Sequence, residues 1–282
     1  GAIDMPFSIV TLVKGRKKQL ENMLESIRHS SMTPDEVIIV WMEPEKPESR
    51  VEDSSLPIKQ IYLNDGNLPL SKARNLGFYH TTSETVIFLD VDCLCSPTLL
   101  ENLTTKLNEG IITSAPARYL PFIPLTGDYT EVEQDACVHP KRTSLPTETL
   151  LPYKKFWSLV FALTKNTFDK IGGFDENFTG YGGEDTDFAE RFNSKGYGFM
   201  FVGDEVLHQY HHKYTPPLNY LREIVENANY FYSKHRYFPM YTWLQTFCKM
   251  GYITFDKQRH MFKVMSLPKQ KDMDSTLSTL PY

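Results

Sequence analysis

Cysteine is scarce: there are four in 282 residues, and their spacing matches neither a disulfide framework nor a zinc knuckle. Cys93 and Cys95 stand two apart on a loop, poor geometry for pairing with each other, and they lack the CxxC spacing of a zinc site. A reducing compartment, the cytoplasm, is therefore expected. No apolar run is long enough to span a bilayer. Gly1 to Asp4 pass into an apolar strand without a leader pattern, so no secretory signal is expected. Asn102-Leu103-Thr104 and Asn177-Phe178-Thr179 then read as chance matches to the glycosylation acceptor pattern. Lys and Arg (30) are scattered and outnumbered by Asp and Glu (35), giving a net charge of −5. Phosphate backbones need a concentrated basic field, so a nucleic-acid surface is excluded. Internal repeats and low-complexity segments are also missing.

What remains is an ordinary globular composition, 41% hydrophobic and 23% charged, long enough for one large α/β domain or two small ones. Phe7–Val13 reads as a buried first strand, followed by the turn Lys14-Gly15-Arg16. A helix from Lys17 to Arg28 carries Leu20, Met23, Leu24 and Ile27 on one face. Val37–Trp41 and Ile58–Leu63 are the next strands, Ser71 caps a helix to about Tyr79, and Thr85–Leu89 is a strand. Pro97 opens a helix reaching Asn108, and Ile111–Ala115 is again a strand. This alternation with near-continuous apolar strands predicts an α/β fold whose mostly parallel central sheet is flanked by helices. Residues 118–155 are irregular and rich in Pro, Thr and charge, and are expected to form a substrate-facing loop. Order resumes with a strand at Trp157–Leu163, a short helix at Asn166–Ile171, a helix from Glu184 to about Ser194, and strands at Tyr197–Val202 and Glu205–Leu207. A helix after Pro216-Pro217 runs to about Lys234, and the tail from about residue 266 is expected to fray.

The most informative stretch is Thr85-Val86-Ile87-Phe88-Leu89-Asp90-Val91-Asp92, an apolar strand ending in two carboxylates spaced i, i+2. Isolated charges are expensive to desolvate. Hard divalent metals want carboxylate oxygens, and open α/β sheets bind ligands at the carboxyl ends of their strands. The pair therefore points to a metal–nucleotide site, although a plain Asp-x-Asp loop capping the next helix would look the same.

Two further blocks bear on that choice. Gly180-Tyr181-Gly182-Gly183 precedes Glu184-Asp185, and the glycines would let backbone approach a ligand closely. At a helix N-terminus the dipole favours ionised carboxylates, so both acids are expected to be charged and able to accept a proton from an alcohol. His208-Gln209-Tyr210-His211-His212 follows an apolar strand and supplies imidazoles for a borderline metal such as Mn2+. His208 lies nearest the strand end and is the preferred ligand, His211 the second choice. One Asp, one His and two phosphate oxygens would supply four of the six ligands of an octahedral site.

With these residues in hand, the chain resembles the GT-A glycosyltransferases. In particular it is similar to family-2 enzymes carrying a C-terminal segment like that of β-1,4-galactosyltransferases and chondroitin polymerases. The resemblance rests on Ser8-Ile9-Val10-Thr11 with Arg16, Leu70–Gly77, Phe88–Asp92, Gly172–Glu176 with Gly180–Asp185, and Leu207-His208-Gln209. It implies a GT-A, Rossmann-like domain over residues 1–212 and a C-terminal helical extension over 213–282. It also implies inverting, metal-dependent transfer of a hexose or N-acetylhexosamine from a UDP-sugar to a hydroxyl of a glycan or glycolipid acceptor, with Mn2+ or Mg2+ as cofactor. A lipid-linked acceptor would bring the enzyme to the inner face of a membrane.

Residue by residue, the resemblance makes Asp92 and His208 metal ligands, with Asp90 on the ribose or helping to hold the metal. Asp185 becomes the catalytic base and Glu184 the holder of acceptor hydroxyls. Glu43 stands loosely where uracil is recognised, and Arg74 where a cation could meet the diphosphate. Arg16 and Gly183 belong to the nucleotide-sugar site. Tyr181 stands where relatives often carry Trp, able to stack on a sugar face. A nucleotidyltransferase would want a Gly-rich basic loop after strand one, and Lys14-Gly15-Arg16 is too short for it. A non-catalytic sugar-nucleotide-binding relative would be expected to lose Asp92 or Asp185, and both are present.

Overall fold

The computed structural model describes residues 5–66, 68–141 and 144–282. The expectation placed on Gly1 to Asp4 lies outside them, as do two residues of the irregular stretch, Arg142 and Thr143. The first half alternates strand and helix: β1 (Phe7–Val13), α1 (Lys17–Arg28), β2 (Glu36–Trp41), β3 (Ile58–Tyr62), α2 (Leu70–Tyr79), β4 (Thr85–Leu89), β5 (Cys93–Cys95), α3 (Leu99–Thr105), β6 (Ile111–Ser114) and β7 (Ala117–Tyr119). A short helix α4 (Tyr129–Val132) and strand β8 (Leu150–Leu151) lead to β9 (Val160–Thr164), α5 (Lys165–Ile171), α6 (Glu184–Ser194), β10 (Gly198–Phe201) and β11 (Val206–His208). The chain continues through α7 (Leu221–His235), α8 (Tyr241–Lys249), the hairpin β12 (Ile253–Asp256) and β13 (Met261–Val264), and α9 (Gln270–Asp274).

The large sheet has the order β3-β2-β1-β4-β9-β6-β10-β8. The β1–β4 half is parallel throughout. Strands β1, β2 and β4 are buried along their whole length, which is why they read as unbroken apolar runs. Alternate residues feed two cores. Ile9, Val13, Val37, Ile39 and Trp41 pack with Leu20, Met23 and Ile27 of α1 on one face. On the other face, Val10, Leu12, Ile38, Val40 and Phe88 pack with Phe78 of α2 and Phe188 and Phe192 of α6. A third apolar cluster lies in the C-terminal segment, from Leu218, Leu221 and Ile224 to Phe247 and Phe262.

Two strands run against the otherwise parallel sheet, and β8 is one of them, pairing antiparallel with β10 at the edge. β9 is the other, entering antiparallel between β4 and β6 and pairing Leu89 with Val160. That strand starts at Val160 rather than Trp157, because the chain is still turning at Ser158 and Leu159. The helix after Pro97 stops at Thr105, short of Asn108. The irregular stretch contains β7, α4 and β8, and the C-terminal helix begins at Leu221, after a tight turn at Leu218–Tyr220. Residues past 266 make backbone bonds to the segment after β11: Thr215 N–H donates to Thr276 O (2.8 Å) and Ser278 N–H to Lys213 O (2.9 Å). Among the described residues no helix is long and apolar enough to cross a membrane.

Candidate active site

A second, three-stranded sheet, β5-β11-β7, builds the site. β4 ends at Leu89, and the chain turns through Asp90-Val91-Asp92 into β5. The turn is fixed at both ends. Asp90 N–H donates to Leu159 O (2.9 Å), and Asp92 N–H donates to Asp90 Oδ1 (3.0 Å). β11 runs antiparallel to β5 with His208 opposite Cys93, and Gln209 N–H donates to Asp92 O (2.7 Å). The ladder therefore carries the second acid of the Asp-x-Asp to the histidine block, although more than a hundred residues separate them.

Asp92 is 1% exposed. Its Oδ2 lies 3.9 Å from His208 Nε2 and 3.7 Å from His211 Nε2. One ligand atom from each of the three falls within 4.8 Å of the others. Asp92 Oδ1 and His208 Nδ1 are buried without a hydrogen-bond partner. Burial pushes the Asp92 carboxyl up, against the opposing pull of Arg16. Burial also pushes both imidazoles down to about 4. Neutral imidazoles beside a desolvated carboxylate with an unused oxygen form a donor set that fits a divalent cation, whose charge would offset the desolvation of Asp92. Both histidines stand at the cluster, each with a ring nitrogen near Asp92. Gln209, fully buried, accepts from Asn22 Nδ2 (2.9 Å) and donates to Gln19 O (3.1 Å), locking the histidine segment onto α1. The Tyr119 ring lies 5.5 Å from that of His208.

Arg16 holds a left-handed backbone (φ 52°) at the start of α1 and pairs with Asp92 Oδ2 at 2.5 Å. Glu43 does not face an open base site. It accepts from Gly15 N–H (2.6 Å) and from the Ser49 hydroxyl, and so shapes the turn that presents Arg16.

Asp185, the second residue of α6, is partly exposed. Its Oδ2 accepts from Ser158 N–H (3.4 Å) and Ser158 Oγ (3.3 Å). Ser158 immediately precedes Leu159, whose carbonyl holds Asp90, so Asp185 stands at the sheet end that carries the Asp-x-Asp.

Arg74 departs from the diphosphate role. It is 6% exposed, sandwiched between the rings of Phe88 (5.2 Å) and Phe174 (5.0 Å). It donates to Glu184 Oε1 (3.2 Å) and Ser158 Oγ (3.1 Å). A long cation beside a buried acid and two rings is held inside rather than offered to a ligand. Glu184 is likewise 6% exposed, and burial raises its carboxyl despite Arg74. At this position desolvation works against the helix dipole. Arg74, Ser158, Glu184 and Asp185 thus form one polar network beneath the site, with Asp185 at its accessible end.

The glycine run packs closely against other parts of the chain. Gly180, Gly182 and Gly183 all have positive φ. A Cβ on Gly180 would meet Glu223 Cγ at 2.6 Å, one on Gly182 the Met240 sulfur at 2.7 Å, and one on Gly183 the Phe178 ring at 3.2 Å. Gly180 and Gly182 thus lie close against α7 and the turn before α8, and Gly183 against Phe178. The Tyr181 ring stacks on Tyr220 (4.4 Å), with Trp243 at 6.1 Å. Asn227 of α7, 2% exposed, donates from Nδ2 to Thr179 O (2.9 Å), Gly182 O (2.9 Å) and Tyr181 O (3.3 Å). Ser158, Tyr220 and Asn227 were not visible as site residues in the sequence. Ser158 fell within the strand expected at Trp157–Leu163 but lies in the turn before it, and the other two lie in a segment without any recognised motif. A hollow of about 780 Å³ beside the outer face of α1, lined by Lys17, Glu21 and Arg28 among others, contains none of these residues.

Known proteins similar to this chain are glycosyltransferases. Residues 8–161, more than half of the chain, match glycosyl transferase family 2, and residues 138–215 match the pattern described as the N-terminal domain of galactosyltransferase. Validoxylamine A glucosyltransferase of Streptomyces hygroscopicus subsp. limoneus is 23% identical over 260 residues, covering 81% of this chain and 56% of that one. The chain thus spans about half the length of the first curated relatives it matches. Among solved structures, GalNAc-T7 with UDP, GalNAc and Mn2+ superposes with a TM-score of 0.55 at 18% identity, covering 82% of this chain and 50% of that one. The mannosyltransferase PcManGT of Pyrobaculum calidifontis, in complex with GDP-Man and Mn2+, gives 0.56 at 14%, covering 83% and 64%. At these identities the superpositions establish the fold, which is GT-A.

Proposed function

The chain belongs to glycosyl transferase family 2, and from that premise we propose that it transfers a hexose or N-acetylhexosamine from a UDP-sugar to a hydroxyl of a glycan acceptor, inverting the anomeric carbon. The observation that carries this reading is the convergence, at one end of the sheet, of a buried Asp92–His208–His211 cluster and the accessible carboxylate of Asp185. Asp92, His208 and His211 would hold Mn2+ or Mg2+, which when bound supplies charge stabilisation to a departing diphosphate. Arg16, at the same carboxylate, is placed to turn its guanidinium to phosphate oxygens. Asp185, steadied by Ser158, takes the proton from the acceptor hydroxyl as it attacks. Glu184 supports it from below through Arg74 and Ser158. Tyr181 and Tyr220 offer aromatic surface to a sugar ring. Residues 1–212 carry the donor and acceptor machinery, and 213–282 form an extension packed against the glycine run.

The test is a panel of UDP- and GDP-linked sugars with Mn2+, repeated with Asp185→Asn. The expected result is metal-dependent release of UDP that increases with a glycan acceptor, with transfer falling by roughly 10²–10⁴ in the variant while donor binding persists. Absence of metal-dependent nucleotide release from every donor would end the reading. Undiminished transfer by the variant would remove Asp185 as the base.

A further inference from the structure

The segment after residue 215 lies outside both family matches, yet it packs directly against the glycine run. Asn227 is the centre of that packing. Its side-chain nitrogen faces three backbone carbonyls of one short stretch, Thr179, Tyr181 and Gly182, the stretch that runs directly into Glu184 and Asp185. Only the NH2 end of the amide can face three acceptors, which settles the side-chain orientation. Three of the four residues from Gly180 to Gly183 are glycines in the left-handed region, where the backbone has little side-chain packing of its own to hold it. The stretch is therefore shaped from outside, by Asn227 and by contacts with Glu223, Ile224 and Met240. A second anchor fixes the far side of α6 to the same helix. Asp187, fully buried, accepts from Lys234 Nζ (2.6 Å) and lies 2.7 Å from His235 Nε2, both at the end of α7.

We propose that Asn227 is the positioning residue that holds the Thr179–Gly183 turn, and through it Asp185 and Tyr181, in the geometry that receives the acceptor. The proposal rests on the glycosyltransferase reading for its catalytic consequence, but not for its structural one. Donor binding through Asp92, His208 and His211 is supported by β5, β11 and α1, none of which Asn227 touches. Acceptor handling depends on the turn that it does touch. Loss of the amide therefore separates the two halves of the reaction.

The experiment compares Asn227→Ala and Asn227→Asp with Asn229→Ala. Asn229 is the same residue type on the same helix. It bonds the backbone of Phe262 in both directions (2.8 and 2.9 Å) and does not touch the glycine run, so it reports what simple loosening of α7 does. Mn2+-dependent UDP affinity, acceptor kcat/KM and amide hydrogen exchange over residues 178–187 are measured for each. The expected result for both Asn227 variants is an acceptor kcat/KM lower by about 100-fold, with UDP affinity within about twofold of the parent chain. Exchange should be faster across 178–187, and Asn229→Ala should leave transfer near the parent level. Unchanged transfer in the Asn227 variants overturns the proposal, and so does a parallel loss of transfer in Asn229→Ala. Should the parent chain bind no UDP with Mn2+, the glycosyltransferase reading fails. The exchange data then decide alone, and protection of 178–187 that is the same with and without the amide overturns the proposal.

Discussion

Replacing Arg74 with Met separates a supporting role from a diphosphate contact. The substitution keeps an apolar stem between Phe88 and Phe174 and removes the guanidinium. Glu184, 6% exposed, then has no cation opposite it and already carries one buried oxygen without a partner. Breaking a buried ion pair from one side costs about 3–5 kcal/mol. For a chain of this size that lowers Tm by on the order of 10 °C. The loss is pH-dependent with a definite sign. Burial holds the Glu184 carboxyl above its ordinary range, and Arg74 is the group that opposes this. Without Arg74 the folded value rises further above the unfolded one, so the folded state binds the extra proton. Stability then falls as pH rises through that window, and the deficit is larger near about pH 8 than near about pH 5. The double variant Arg74→Met, Glu184→Gln removes the stranded charge and should recover part of the loss. Urea unfolding followed by tryptophan fluorescence at both pH values, with UDP affinity measured alongside, provides the assay. An unchanged unfolding midpoint together with UDP binding weakened about tenfold or more would refute the reasoning and return Arg74 to the diphosphate.

Three other outcomes are expected. Glu36 is buried, yet Lys59, Ser8 and Thr82 outweigh that burial and hold its carboxyl down at about 2. Glu36→Gln should therefore lose roughly 3 kcal/mol at neutral pH, a difference that fades as pH falls from the usual carboxylate value through about 2. A pH series of unfolding curves checks it. A Cβ on Gly127 would lie 2.0 Å from the backbone oxygen of Asn22, so Gly127→Ala should destabilise by about 1–3 kcal/mol in thermal melts. Gly203, with nothing within 4 Å and no positive φ, should accept Ala without loss in the same melts.

Much of the fold, and the residues of the proposed metal cluster, were legible in the sequence. β1, β2 and β4 are buried on both faces, so their apolar runs are continuous, and the acids at the end of β4 stand out against them. His208 and His211 were visible as a histidine-rich block, and the β5–β11 ladder explains why both reach Asp92. The direction of β9 was not legible, because a short apolar run has the same composition whichever way it enters a sheet. Arg74 and Glu184 read as ligand-facing charges, and only the packing of Phe88 and Phe174 shows them to be buried together. Glycines at 180, 182 and 183 announce a close approach, but the sequence does not say whether a ligand or another helix makes it. Asn227 left no signal at all, since a single asparagine in a helix has no periodicity and its partners are backbone atoms.

The central claim is a divalent-metal site built from Asp92, His208 and His211 beside the accessible Asp185. The most direct measurement is Mn2+ titration of the chain with UDP present, followed by electron paramagnetic resonance, with Asp92→Asn and the double variant His208→Ala, His211→Ala alongside. The account predicts one tightly held Mn2+ with nitrogen coupling from imidazole, and affinity weakened by about 100-fold or more in either variant. Mn2+ that shows only oxygen coordination and binds the variants as well as the parent chain would contradict it.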